Sequence, residues 1–344
     1  MSRLLKATYD CEVITPMFLA GADQTKPEFR ISSIKAELRF WLRAVLGGLL
    51  NQNLNQVALI EQLIFGGTNN QSNQSNVQLK FVNPKKITTD YLPMLPHKKG
   101  NLAKQNAINP KNRFEIEIKT VGNNSIFFFG HNERSVSVKS ELIYNIALDV
   151  FQLSILLGSL GRRSNRGFGS VQINKINDER YYSFTSRKTV KQTITEIFNE
   201  LNKGLMKLAK HLQNKGIIKL SNSENKNQAG ISKWPILDNK YTQITIGKPV
   251  AWDEFIYDLM KTIHIDKGKN KLKEKVLGDF KPRQGSTMKI SMIRADEKDL
   301  EMYPVFTNFI TDTKGKPNRK DFEYILSFPE KICNNDTLVI FDNV

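Results

Sequence analysis

Hydrophobic and polar positions alternate, then switch to helical spacing, in a regular order along the first half of the chain. Residues Lys6 to Met17 hold β-formers at partly alternating positions, which predicts a strand ending at Pro16. Ile34, Leu38, Trp41, Leu42, Val45 and Leu49 then recur every three or four residues, the spacing of an amphipathic helix capped at Ser32-Ser33 and running to about Leu50. An Asn/Gln/Ser tract after Gly66-Gly67 reads as a loop, Val77 to Val82 as a second strand and Phe114 to Val121 as a third, with Phe114, Ile116 and Ile118 on one face. Lys139 to Leu157 is a second amphipathic helix stopped by Gly158, and Ser170 to Ile176 a fourth strand. Strand, helix, strand, strand, helix, strand is the order of a split βαβ, ferredoxin-like unit, here filling residues 1–180.

The second half, 181–344, is predicted as another α+β domain. Helices are expected at Thr189–Leu212 and Asp253–Ile263, and strands at Tyr241–Ile246, Met288–Ile293, Tyr303–Ile310, Phe322–Phe328 and Thr337–Phe341. Periodicity alone leaves open whether this half is a degenerate copy of the first.

Charge changes the picture. The 344 residues carry a net charge of +17, which points to a polyanionic partner, nucleic acid before others. A general Lys/Asn bias of the source is the competing explanation. Cys11 and Cys333 form neither a disulfide framework nor a metal-ligand spacing, and fit a reducing compartment. No apolar run approaches the roughly 20 residues of a membrane span, so the expectation is a soluble, cytoplasmic protein without membrane contact. His97, His131, His211 and His264 are scattered among unrelated elements, and nothing suggests a catalytic group, a metal or a cofactor.

Two features carry binding chemistry. Lys35, Arg39 and Arg43 recur every four residues on the first helix and form a basic ridge beside its apolar stripe, with Glu37 the only acid in that helix. A solvated helix face would look the same. The sharper motif is Gly158-Ser159-Leu160-Gly161-Arg162-Arg163-Ser164-Asn165-Arg166-Gly167-Phe168-Gly169-Ser170. Its glycines allow tight turns and close approach to a ligand, successive N–H groups can form an anion nest, and three arginines offer forked donors to phosphate. Phe168 is a candidate for stacking on a base. The expected RNA contacts in this loop are Gly161 through Phe168. No Gly-Lys-Ser/Thr closes it, so it is not a nucleotide P-loop. Weaker candidates are Lys281 and Arg283, in a stretch from Lys267 to Lys289 with eight basic residues against two acids. Asp23, in the loop after the first strand, reads as a turn former.

The late glycine-rich loop, its place before the fourth strand, and the opening Thr15-Pro16-Met17-Phe18-Leu19-Ala20-Gly21-Ala22-Asp23 followed by Ile31 to Ala44 resemble the RAMP superfamily of CRISPR-associated proteins. The opening is most similar to the first-numbered RAMP subunits of type III-B, or Cmr, effector complexes. The resemblance covers residues 11–48 and 158–171 and departs at Ala20 and Ala36, where glycine is expected. It implies two ferredoxin-like RAMP domains, with antiparallel sheets and helices on one face. It also implies no nuclease activity in this subunit. The partners it implies are the 3′ end of a guide RNA, with target RNA as a further candidate, and neighbouring RAMP subunits. Carried onto this sequence, the guide contacts are Lys35, Arg39, Arg43 and the loop from Arg162 to Phe168. The rivals are a RAMP endoribonuclease that processes CRISPR precursor RNA, a target-cleaving RAMP subunit using Asp23, and a basic RNA-binding protein unrelated to CRISPR. The first needs a general acid or base, yet the first helix and its loop lack histidine and tyrosine.

Overall fold

The computed structural model describes residues 4–67, 74–82, 86–95, 104–129, 134–220, 231–269, 276–277, 279–280, 283–284, 286–295, 301–312 and 319–341. The first sheet is built from β1 (Leu4–Val13), β2 (Gln78–Val82), β5 (Arg113–Val121), β8 (Val171–Ile176) and the short β9 (Glu179–Arg180), in the order β2-β5-β1-β8-β9 and antiparallel throughout. Two hairpins are inserted, β3 (Thr89–Pro93) with β4 (Lys104–Ile108), and β6 (Asn124–Phe129) with β7 (Arg134–Lys139).

The second half repeats this plan. Strands β10 (Thr242–Gly247), β14 (Met288–Arg294), β15 (Glu301–Phe309) and β16 (Thr337–Phe341) lie in the order β14-β15-β10-β16, with β11 (Val250–Ala251) also on β15. Numbered within its own unit, each sheet runs second, third, first, fourth, which is the βαββαβ arrangement. The helices are α1 (Ile31–Leu49), α2 (Leu54–Phe65), α3 (Ser140–Leu157), α4 (Arg187–Asn214), α5 (Trp252–Lys269) and α6 (Arg319–Ile332). A two-residue ladder joins β12 (Asp279–Phe280) to β13 (Arg283–Gln284).

Side-chain period explains the layering. On β1, Ala7, Tyr9, Cys11 and Val13 face the main core, while Thr8, Asp10 and Glu12 alternate to the open face. The same core takes α1, α3 and α4 and continues into the second sheet through Ile244, Ile293, Val305 and Phe309, without a break at residue 180. The second sheet is buried on both faces: Met288, Ile290, Met292 and Phe306 turn the other way, onto Phe255, Ile256 and Leu259 of α5 and Phe322, Ile325 and Phe328 of α6. Helix α3 is long and apolar enough to cross a membrane by length and composition, but it is mostly buried in this core.

Several expectations are corrected. Helix α1 begins at Ile31 with Arg30 as N-cap and no side-chain cap, so Ser32 and Ser33 lie in its first turn. Strand β1 ends at Val13, short of Pro16. Helix α2, capped by Asn53 accepting from Gln56 N, and both inserted hairpins are elements that the sequence pattern did not predict. Phe322–Phe328 is helix, not strand: Phe322, Ile325 and Phe328 are the buried positions, a spacing of three. The Asn/Gln/Ser tract at 68–73, the polar stretch 221–230 and Lys281 lie outside the described residues, as do His97 and His131. Arg283 is described only as backbone in β13.

Candidate nucleic-acid interface

The glycine-rich loop leaves α3 at Gly158 and is held from every side. Leu160 N donates to Gly169 O at 2.9 Å, Arg162 N to Phe18 O at 2.8 Å and Gly169 N to Pro16 O at 2.9 Å. Thr15 Oγ1 donates to Gly167 O at 2.7 Å and accepts from Ser170 N at 2.9 Å. The second half closes the other side: Gly167 N donates to Ile290 O at 3.1 Å and Met292 N to Ser170 Oγ at 3.0 Å. Gly169 shows why glycine is needed: at φ +73° a Cβ there would stand 1.9 Å from Leu160 O.

This clamping divides the loop's side chains. Arg162 is exposed and reaches Gln105 Oε1 on β4 at 3.0 Å, and also hydrogen-bonds Gln24 in the loop after β1. Arg163, in the left-handed conformation at φ +62°, is exposed as well. Ser164 and Asn165 form a single 3-10 turn with Arg166 and are half-buried.

Arg166 and Phe168 are corrections. Arg166 is 8% exposed and turns inward, donating to Leu277 O at 2.8 Å and Ser286 Oγ at 3.2 Å. Burial, with the nearby charge of Arg163, lowers its guanidinium to about 10 from an ordinary 12.5. Phe168 is 3% exposed and meets Phe18 edge-on, with centroids 5.2 Å apart. It packs in the core beneath α5, so neither ring face is open to a base.

The basic ridge of α1 is also altered. Arg39 pairs with Glu61 at 2.6 Å and donates to the carbonyls of Phe65 and Gly66, while Arg43 pairs with the other Glu61 oxygen at 3.1 Å. Glu61 belongs to α2, the helix that sequence reading missed, and supplies the acid the ridge lacked. Lys35 is half-buried, and that burial, with the neighbouring Arg39, lowers its ammonium pKa. Glu37 is held by Lys289 of β14 at 2.9 Å and by Trp41 Nε1 at 2.9 Å. Asp23 accepts from Thr25 N at 2.9 Å and Thr25 Oγ1 at 2.6 Å, the turn-forming role expected of it. Gln24 and Gln105 were not legible as site residues, because only the fold brings them to Arg162. No group of three or more metal-ligating side chains occurs among the described residues.

The open face of the first sheet offers no aromatic platform. Its outward positions on β1 and β5 include Lys6, Thr8, Asp10 and Glu12, and Arg113, Glu115, Glu117 and Lys119. Base stacking across that sheet, as RRM domains use it, has nothing to stack on.

The family model of the RAMP superfamily matches residues 10–172, a stretch that includes the clamped loop. The relatives the chain resembles are Cmr1 subunits. The chain is 29% identical over 195 residues to the CRISPR system Cmr subunit Cmr1-2 of Pyrococcus furiosus, covering 51% of this chain and 98% of that protein. It is 24% identical over 164 residues to Cmr1-1 of the same organism, covering 44% of this chain and 43% of that one. In fold it matches the crystal structure of apo Cmr1 from P. furiosus with a TM-score of 0.64 at 16% identity, over 99% of this chain and 100% of that chain. A chain in the cryo-EM structure of the type III-B Cmr-beta complex bound to cognate target RNA matches with a TM-score of 0.53 at 12% identity, over 96% and 100% of the two chains.

Proposed function

We propose that this chain is a non-catalytic, RNA-binding subunit of a soluble, cytoplasmic type III-B CRISPR effector complex, holding the guide RNA near its 3′ end beside other RAMP subunits. The observation that carries the RNA contact is the loop's division of labour. A backbone fixed at Phe18, Thr15, Ser170 and β14 presents Arg162 and Arg163 outward. A pre-ordered arginine pair contacts phosphate with little further loss of conformational freedom. Such contacts position a strand without reading its bases, so recognition is largely independent of sequence. Lys35 and the exposed part of Arg43 extend the positive surface along α1.

The test is equilibrium binding of a short single-stranded RNA, with a matched DNA, to wild type and to an Arg162→Ala/Arg163→Ala variant. With about four phosphates neutralised, the log–log salt slope should be near −3, and the variant should be shallower by about 1.4. Unchanged affinity in the folded variant, or a binding constant indifferent to salt, would overturn the RNA reading. RNA cut during incubation, seen on a denaturing gel, would overturn the non-catalytic one.

A further inference from the structure

A second basic site lies on the open face of the first sheet, where β1, β5 and β8 approach β14. A half-open cavity of about 560 Å³ is ringed by five cations, Lys111, Arg113, Lys175, Arg180 and Arg294. Asp10 and Glu12 are the acids in its wall. Glu12 is committed inside the protein: it is 4% exposed and accepts from Arg294 at 2.7 Å, Arg113 at 3.1 Å and Asn174 at 3.3 Å. Burial pushes its carboxyl up, but the hydrogen bond and charge of Arg294, then Asn174 and Arg113, outweigh that and leave it below the ordinary range. One carboxylate thus anchors two guanidinium groups and neutralises only one.

Lys111 stands in the turn just before β5 and Lys175 on β8, and β5 and β8 flank β1 on opposite sides. Both lysines are exposed, and neither has an ion-pair partner among the described residues. Lys111 is held at φ +70°, a region a lysine seldom adopts, with its N–H donating to Val13 O at 2.8 Å. Elsewhere on the same face the lysines are engaged, since Lys6, Lys80 and Lys119 all lie within 4 Å of Glu117, at 3.7, 3.3 and 3.9 Å. The excess positive charge is therefore concentrated at the cavity. Without aromatic neighbours on β1 or β5, the chemistry fits a phosphate rather than a base.

We infer that this cavity binds a backbone phosphate of the RNA strand, as a second anchor apart from the glycine-rich loop. The source of the phosphate rests on the RNA-binding reading above; the anion site itself does not. Gln105, which accepts from Arg162, and Lys111 are six residues apart on one segment, so their backbones lie within about 20 Å and one strand can span both.

The variant to make is Lys111→Asn/Lys175→Gln, because asparagine tolerates the left-handed backbone that Lys111 adopts. Both side chains are exposed, so the melting temperature should hold. RNA affinity should fall about 10-fold near physiological salt, and the log–log slope should become shallower by about 1.4. Lys175→Gln alone, away from the unusual backbone, should give about half that slope change. A folded double variant with wild-type affinity and slope overturns the proposal while leaving the loop reading intact. If wild type binds no RNA, inorganic tripolyphosphate is titrated calorimetrically into both proteins. Heat seen with wild type and lost in the variant keeps the anion site and removes only RNA as its source; no heat with wild type overturns the site.

Discussion

Replacing Arg166 separates a structural arginine from a binding one. In Arg166→Ala the Leu277 carbonyl and the half-buried Asn165 carbonyl lose their donor, while Ser286 Oγ still accepts from Met288 N, and an acceptor left unsatisfied costs about 1–3 kcal/mol. Two buried methylenes beyond Cβ add about 0.8 kcal/mol each. Against these stands relief of a buried charge: the fall from 12.5 to about 10 corresponds to roughly 3 kcal/mol. The balance is a destabilisation of about 2 kcal/mol. Arg166→Met keeps the aliphatic stem and should be less destabilised than the alanine variant by about 1.5 kcal/mol. Urea unfolding measures both, and RNA binding is measured below the unfolding transition. The folded fraction of either variant should bind RNA within about twofold of wild type, unlike Arg162→Ala/Arg163→Ala. A wild-type unfolding midpoint in Arg166→Ala, combined with an affinity loss like that of the Arg162/Arg163 variant, would refute the reasoning and put this guanidinium on the RNA.

Two further outcomes follow from charge. Glu61→Gln frees Arg39 and Arg43 from their shared carboxylate, so RNA affinity should rise and the salt slope steepen, while stability falls by about 2 kcal/mol; unchanged RNA binding would show that the ridge faces away from the strand. Asp149 on α3 is raised to about 7 by burial and the charge of Glu200. A carboxyl raised on folding favours the native state at low pH, and that contribution is lost as pH rises from about 4 through 7. Asp149→Asn should therefore match wild type near pH 4 and be more stable by about 1–2 kcal/mol at pH 8, after allowance for solvent screening. Melting temperatures across that range decide it, and a variant no more stable at pH 8 would refute it.

The order of elements in the first unit was legible because its strands and helices are long and each has one dominant period. Helix α2 was not, because Val57, Ile60, Leu63 and Phe65 are buried on several sides and leave no polar stripe. Residues 322–328 fit both a period of two and a period of three, and only burial against β10 and β15 selects the helix. At the loop, composition identified the motif but not the direction of each side chain. Arg162 and Arg166 are the same residue type four positions apart, and one meets solvent while the other meets Leu277 O. That difference comes from Leu277 and Ser286, more than 100 residues away, which no local pattern encodes. The same holds for Glu61, whose pairing with Arg39 and Arg43 exists only once α2 has packed on α1.

The second unit has no counterpart of the loop: between α6 and β16 there is only the turn Cys333 to Asp336, with Asn334 and Asn335 at positive φ. The first unit's loop, by contrast, is sewn into the second unit through Ile290, Met292, Leu277 and Ser286. A genetic screen for variants that no longer hold RNA would therefore return many substitutions at Gly161, Gly167, Gly169, Arg166 and Phe168 as insoluble protein. Only changes at the few outward positions would be recovered as soluble, binding-defective molecules. The segment richest in recognition chemistry would look, in such a screen, like a folding determinant, because in this chain it is also one.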